Sequence, residues 1–202
     1  MALALAAGVV GCTPGRIPVP PLNPQDASAQ ALAAYDKNGD GVLDAQELSA
    51  CPGLKAALPY ADADRNGRLS AEEIAARIRQ YQEDRAGLLF LRAVVMLDGR
   101  PLPDAVVSLV PARFLGSGVP GAEGTTDASG QCVLQTPGMD APGVSCGMFE
   151  VRVSAKDSAG RERLPPQYNE RTTLGVEVAM GNRVLAEGLE LNLSSTPQRS
   201  GL

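Results

Sequence analysis

Two periods divide the chain. Between residues 27 and 85 the apolar positions keep helical spacing: Ala27 to Tyr35 has the composition of one helix, and Ile74, Ile78 and Tyr81 recur along the buried face of another. From Leu88 onward the period drops to two. Phe149, Val151 and Val153 interleave with Glu150, Arg152 and Ser154; Leu174, Val176, Val178 and Met180 with Gly175, Glu177 and Ala179; Leu189, Leu191 and Leu193 with Glu190 and Asn192. Each alternation predicts a strand with one buried face. Together with Leu88–Leu97, Ala105–Val110, a short strand near Gly124 and Gln131–Gln135, this gives about seven strands separated by Gly/Pro turns, which suits a β-sandwich. Asp98-Gly99 is a hairpin-type turn signal. The expected fold class is α+β and multidomain, a small all-α pair followed by an all-β sandwich.

The helical segment carries two acidic loops of one design. Asp36-Lys-Asn-Gly-Asp-Gly-Val-Leu-Asp-Ala-Gln-Glu47 fits D-x-[DN]-x-[DN]-G-x5-E at every constrained position, and Asp62-Ala-Asp-Arg-Asn-Gly-Arg-Leu-Ser-Ala-Glu-Glu73 repeats it. A hard cation takes about six or seven oxygens. The first loop offers Asp36, Asn38, Asp40, the Val42 carbonyl, Asp44 (often through water) and both oxygens of Glu47. The second offers Asp62, Asp64, Asn66, the Arg68 carbonyl, Ser70 and Glu73. Gly41 and Gly67 stand where the chain turns sharply with positive φ, and Leu43 should pair with its counterpart Leu69. Residues 27–85 resemble the EF-hand family, which implies calcium at two sites. Loop one has four carboxylates and loop two three, with Arg65 and Arg68 nearby, so loop two is expected to bind more weakly.

The flanks set the size of this unit. Ser70 and Glu73 form a capping box for an exiting helix. Only Leu48 to Ala61 separates the loops, and Cys51-Pro52-Gly53 and Pro59 interrupt it, so the two middle helices must be short. A sensor exposes a methionine-rich groove on binding calcium, and residues 25–85 contain no methionine. Structural calcium is the expectation.

Composition narrows the chemistry. The 202 residues include no histidine and no tryptophan. Without imidazole there is no Ser-His-Asp or Cys-His nucleophile and no histidine-liganded zinc. Aromatics are 3% of the chain, so the core must be aliphatic. The net charge of −5 and scattered basic residues speak against a nucleic-acid groove. Residues 25–85 hold 11 acids against seven bases, so the acidic excess belongs mainly to the loops.

The N-terminus reads as an address. Residues 1–12 are an apolar run too short to span a bilayer, and Val9-Val10-Gly11-Cys12 resembles the bacterial lipobox. That resemblance implies export and lipidation of Cys12, although the first positive side chain, Arg16, follows the cysteine instead of preceding the run. Residues 13–25, with Pro14, Pro18, Pro20, Pro21 and Pro24, read as an extended linker. The expected domains are then the signal segment 1–12, the linker 13–25, the helical pair 26–85, the sandwich 86–195 and a disordered tail 196–202.

A further resemblance covers residues 88–193. Val95 to Pro111, Gly124 to Leu134 and Gly147 to Ser154 are similar to the carboxypeptidase-regulatory-like domain, a transthyretin-like sandwich. The likeness extends to versions found in planctomycete-type envelope lipoproteins, in which Leu164-Pro-Pro-Gln-Tyr-Asn169 also has a counterpart. No protease activity comes with it, because zinc would need histidine ligands. Ser145, Ser154, Lys156, Asp157 and Glu162 read as loop and outer-face polar residues. With Cys12 lipidated, Cys51, Cys132 and Cys146 remain. A Cys132–Cys146 bridge would add about 3 kcal/mol, but a simple hairpin between their segments would place Cys132 near Val151, and the pairing stays open.

The expected protein is a non-catalytic, calcium-binding lipoprotein of the cell envelope, anchored to the membrane through Cys12. An envelope protein or glycan is a candidate partner of the sandwich, and nucleic acid is not. Calcium-dependent adhesion through the sandwich is the rival reading, and a cofactor-free carboxylate hydrolase is a third.

Overall fold

The structure, a computed structural model, describes residues 22–196. The expected signal segment with Cys12, most of the expected linker and all but the first residue of the expected tail lie outside them. No helix among the described residues is long and apolar enough to cross a membrane.

The chain begins with α1 (Pro24–Tyr35), β1 (Val42–Leu43), α2 (Ala45–Leu48), α3 (Pro52–Ala61), β2 (Leu69–Ser70) and α4 (Ala71–Glu83). Helix α1 starts inside the segment expected as linker. Asn23 caps it, accepting from the Gln25 and Asp26 amides, and Pro24 occupies a first-turn position where no amide donor is needed. Asp44 and Ser70 close capping boxes with Glu47 and Glu73 at the starts of α2 and α4. The middle helices are short, four and ten residues, with Pro59 inside the last turn of α3. Ile74, Ile78 and Tyr81 are all buried, as the helical spacing requires.

The β-rich part contains β3 (Leu88–Leu89), β4 (Arg92–Leu97), β5 (Arg100–Pro101), β6 (Val106–Pro111), β7 (Ala122–Thr125), β8 (Gln131–Val133), β9 (Val144–Ser145), β10 (Gly147–Ser154), β11 (Gly175–Val178), helix α5 (Arg183–Glu187) and β12 (Leu189–Leu193). One sheet has the order β11-β10-β6-β7, antiparallel throughout. In the other, β4 carries parallel β12 along one edge and antiparallel β8 and β5 along the opposite edge. Asp98 and Gly99, with φ of +50° and +76°, make the two-residue turn between β4 and β5. Phe149, Val151 and Val153 lie opposite Pro111, Leu109 and Val107, and with Leu189, Leu191 and Leu193 of the second sheet they join one buried cluster.

Every segment expected to be a strand contains one, but four details differ. Leu88–Leu97 is broken, because Leu88 and Leu89 pair with Val144 and Ser145 before the chain joins the second sheet at Arg92. That pairing buries Ser145, which the sequence had placed among exposed polar residues. Strand β11 ends at Val178, so Met180 lies in the following turn and is half exposed. Cys132 does not enter a hairpin with β10: it pairs with Ala93 of β4, and Cys51, Cys132 and Cys146 are free and buried.

The largest departure concerns the outer face of β10 and β11. Alternation assigns Glu177 to solvent, yet Glu177 is 2% exposed and its neighbour across the ladder, Met148, is fully buried. Helix α3 lies on this face. Gly53 and Gly175 permit the approach: a Cβ on Gly175 would sit 2.0 Å from the Pro52 carbonyl oxygen, and one on Gly53 would sit 2.8 Å from the Phe149 amide nitrogen. A Gly175→Ala substitution should therefore cost about 1–3 kcal/mol through overpacking. A lower denaturant midpoint with unchanged slope is the expected result, against the slight gain that glycine-to-alanine changes give where space allows.

Candidate metal centres

Each loop begins where a helix ends. Asp36 caps α1 and Asp62 caps α3, their amides donating to the Leu32 and Leu58 carbonyls. The loop then folds around its own carboxylates. Asp36 accepts from the Gly39 and Gly41 amides at 2.6 and 3.0 Å, and Asp62 accepts from the Asn66 and Gly67 amides at 3.1 and 2.8 Å. Asn38 Oδ1 accepts from the Asp40 amide, and Asn66 Oδ1 from the Arg68 amide. Gly41 and Gly67 have φ of +83° and +79°, conformations that a side chain would strain.

The twelfth position closes each loop. Glu47, 7% exposed, reaches back from α2 to the Lys37 amide at 2.7 Å, while its other oxygen accepts from the Asp44 amide at 3.1 Å. Glu73 does the same from α4, taking the Ala63 amide at 3.0 Å and the Ser70 amide and hydroxyl at 2.9 and 2.8 Å. Burial pushes the Glu73 carboxyl up, but the Ser70 and Ala63 donors outweigh it and hold the group below the usual glutamate range. Asp62 is likewise held low, because the Gly67 and Asn66 amides outweigh a desolvation effect of opposite sign. Both therefore stay ionised at neutral pH.

Carboxylate oxygens of Asp36, Asp40 and Glu47 lie within 4.8 Å of one another, as do those of Asp62, Asp64 and Glu73. Asp44 stands apart from the first trio and caps α2 through the Gln46 and Glu47 amides. The remaining ligands expected from the sequence, Asn38, Val42, Asn66, Arg68 and Ser70, lie in the same two loops and would offer only oxygen. The donor chemistry, the convergence and the glycine turns all fit a hard divalent cation such as calcium.

The loops are joined back to back. Leu43 pairs with Leu69 and Val42 with Ser70 in antiparallel register, and both leucines are fully buried. Arg68, which the sequence placed as a positive charge beside loop two, instead reaches Asp40 of loop one, Nη1 to Oδ2 at 3.6 Å. Its charge falls on the neighbouring site.

Sequence reasoning missed a second polar constellation. Arg77 of α4, Glu177 of β11, Asn182 and the Tyr81 hydroxyl form a buried hydrogen-bonded group. The signal was present: residues 74, 77, 78 and 81 make one helical face, so Arg77 falls on the apolar stripe. The other candidate polar residues are occupied in turns. Glu162 accepts from the Ser154 hydroxyl at 2.6 Å and from the Ala155 and Leu164 amides, and Asp157 accepts from the Ala159 and Arg161 amides.

Compared with known proteins, residues 29–52 and 54–76 match the family model of the EF hand. The chain thus contains two EF-hand repeats, and the match includes none of the β-rich part. No curated protein and no solved structure matches the chain.

Removing Arg68 tests the cross-loop charge. In Arg68→Ala, loop one should bind calcium more tightly by up to a few-fold at low ionic strength. The gain should shrink as salt is raised, because both partners are exposed. Calorimetric titration at two salt concentrations reads both effects.

Proposed function

We propose that the chain is a calcium-binding, non-catalytic lipoprotein of the cell envelope, with structural calcium in both loops and a β-sandwich as an interaction module. The observation that carries calcium binding is the pair of converging carboxylate trios held in one frame by the Leu43–Leu69 register. The ligands are Asp36, Asn38, Asp40, the Val42 carbonyl, Asp44 through water and Glu47 in loop one. In loop two they are Asp62, Asp64, Asn66, the Arg68 carbonyl, Ser70 and Glu73. Calcium there cancels the mutual repulsion of the carboxylates and ties each loop to the helix that follows it.

The structural role of the metal is supported by what the helices cover. The apolar side of α3 that a sensor would uncover rests on Met148 and Phe149, both fully buried. The non-catalytic reading is supported by the state of the reactive groups. Burial raises the Cys146 thiol to about 11 and pushes Cys51 and Cys132 upward, so none is a ready thiolate. The two sheets and their strand order are compatible with a carboxypeptidase-regulatory-like, transthyretin-like module, and the anchor at Cys12 rests on the lipobox resemblance.

Calorimetry on the full chain should show two calcium-binding events, loop two the weaker. Glu47→Gln should remove the tighter and Glu73→Gln the weaker. At calcium a hundredfold above the dissociation constant, each site adds about 2.7 kcal/mol of stability, so chelator should lower the melting temperature. An absence of heat and of any shift overturns the proposal. For the anchor, wild type should fractionate with membranes and Cys12→Ala should not.

A further inference from the structure

The helical pair and the sheet meet at a site that neither the loops nor the sandwich requires by itself. Arg77 makes a bidentate contact with Glu177, Nε to Oε1 at 2.6 Å and Nη2 to Oε2 at 2.9 Å. The same Nη2 donates to Asn182 Oδ1 at 2.9 Å, and Nη1 donates to Gln80 Oε1 at 2.7 Å. Tyr81 donates its hydroxyl to Glu177 Oε1, and Asn182 Nδ2 donates to Oε2 at 2.7 Å. The guanidinium also lies over the rings of Tyr60 and Tyr81, 5.3 and 5.6 Å from their centroids. Arg77, Tyr81, Glu177 and Asn182 are each no more than 6% exposed.

The position of this cluster relative to loop two is what matters. Glu73, Arg77 and Tyr81 are successive i, i+4 residues of α4, so the twelfth-position carboxylate and the two interface side chains share one stripe of one helix. On the other side, Asp62 follows directly on α3, whose first turn is wedged against Gly175 and Phe149. The two helices that bring Asp62 and Glu73 together therefore both bear on β11, α4 through Arg77 and Tyr81 at Glu177 and α3 through Pro52 at Gly175, and α3 also rests on β10. Whatever holds α3 and α4 on the sheet holds the ends of loop two in register, and whatever draws Asp62 and Glu73 together holds the helices on the sheet.

We infer that calcium at loop two and the docking of the helical pair on β10 and β11 are thermodynamically linked, with α4 as the connecting rod and Arg77–Glu177 as the contact that carries the linkage. This rests on the calcium-binding reading above and adds a regulated element to it. Linkage is reciprocal, so calcium must tighten the docked interface by the factor by which docking tightens calcium binding. The device is specific to loop two, because loop one exits into the four-residue α2 and not into a helix that contacts the sheet polar cluster.

The test uses the full chain. Amide hydrogen exchange of wild type, with calcium and with chelator, should show calcium-dependent protection at Gly175–Val178 and Met148–Glu150 as well as in residues 62–83, with the β4–β12 pair unchanged as internal control. Calorimetry of Glu177→Gln, and of the milder Tyr81→Phe should the first fail to fold, should show loop-two affinity weakened by about fivefold or more, and loop one weakened less. Calcium binding by wild type with protection confined to residues 24–83, or unaltered loop-two affinity in a folded variant, overturns the linkage and leaves calcium binding standing. No binding heat in wild type overturns both.

Discussion

The structure turns on a buried ion pair that cannot stand alone. The side chains of Arg77 and Glu177 are 6% and 1% exposed, and removing two charges from water costs several kcal/mol for each. Their mutual attraction compensates only because the remaining donors and acceptors are also satisfied: Gln80 and Asn182 take the rest of the guanidinium, and Tyr81 and Asn182 fill the rest of the carboxylate. Deleting one partner of such a pair leaves an uncompensated charge, typically a loss of about 3–5 kcal/mol. The pair therefore specifies one docked arrangement of helices on sheet and heavily disfavours others.

Docking explains how the small helical unit holds together. A unit of about 60 residues buries only about 60% of the surface of its unfolded chain, and here α2 has four residues and α3 carries a proline in its last turn. Its loops also concentrate negative charge that resists closure. The sheet supplies what the unit lacks. Leu54 and Ala57 of α3 are fully buried, and so is Met148 beneath the start of that helix. The backbones can approach only because residues 53 and 175 lack side chains.

How much of this the sequence disclosed depended on how local each feature is. The frame of the loops was legible because the carboxylate spacing, the Gly41 and Gly67 turns and the capping boxes are all set within twelve positions. The long strands were legible because their inner faces alternate cleanly, as in Phe149, Val151 and Val153. Strand β9 and helix α5 were not, since two and five residues are too few to establish a period. Glu177 was misread for a different reason. Period two identifies which residues share a face, but not whether a distant helix covers it, and the partner that buries Glu177 lies a hundred positions away at Arg77. Arg77 itself sat on the Ile74–Ile78–Tyr81 stripe, where a lone cation on an apolar face signals a buried acid elsewhere in the chain.

These constraints also decide what kind of work calcium can do here. In a sensor, binding changes the angle between paired helices by tens of degrees and uncovers an apolar groove. In this protein α3 cannot swing without pulling Pro52 and Gly53 away from Gly175 and Phe149, and α4 cannot swing without parting Arg77 from Glu177. Opening would expose Met148 and break the bidentate Arg77–Glu177 contact at once, a cost that any opening driven by calcium would have to meet from its differential affinity for the two states. The same contacts that make opening expensive place the ligand-bearing ends of α3 and α4 correctly before any ion arrives. Under the proposed linkage, calcium meets a prearranged loop two and locks it, and the interface between the helices and the sheet is where that lock acts.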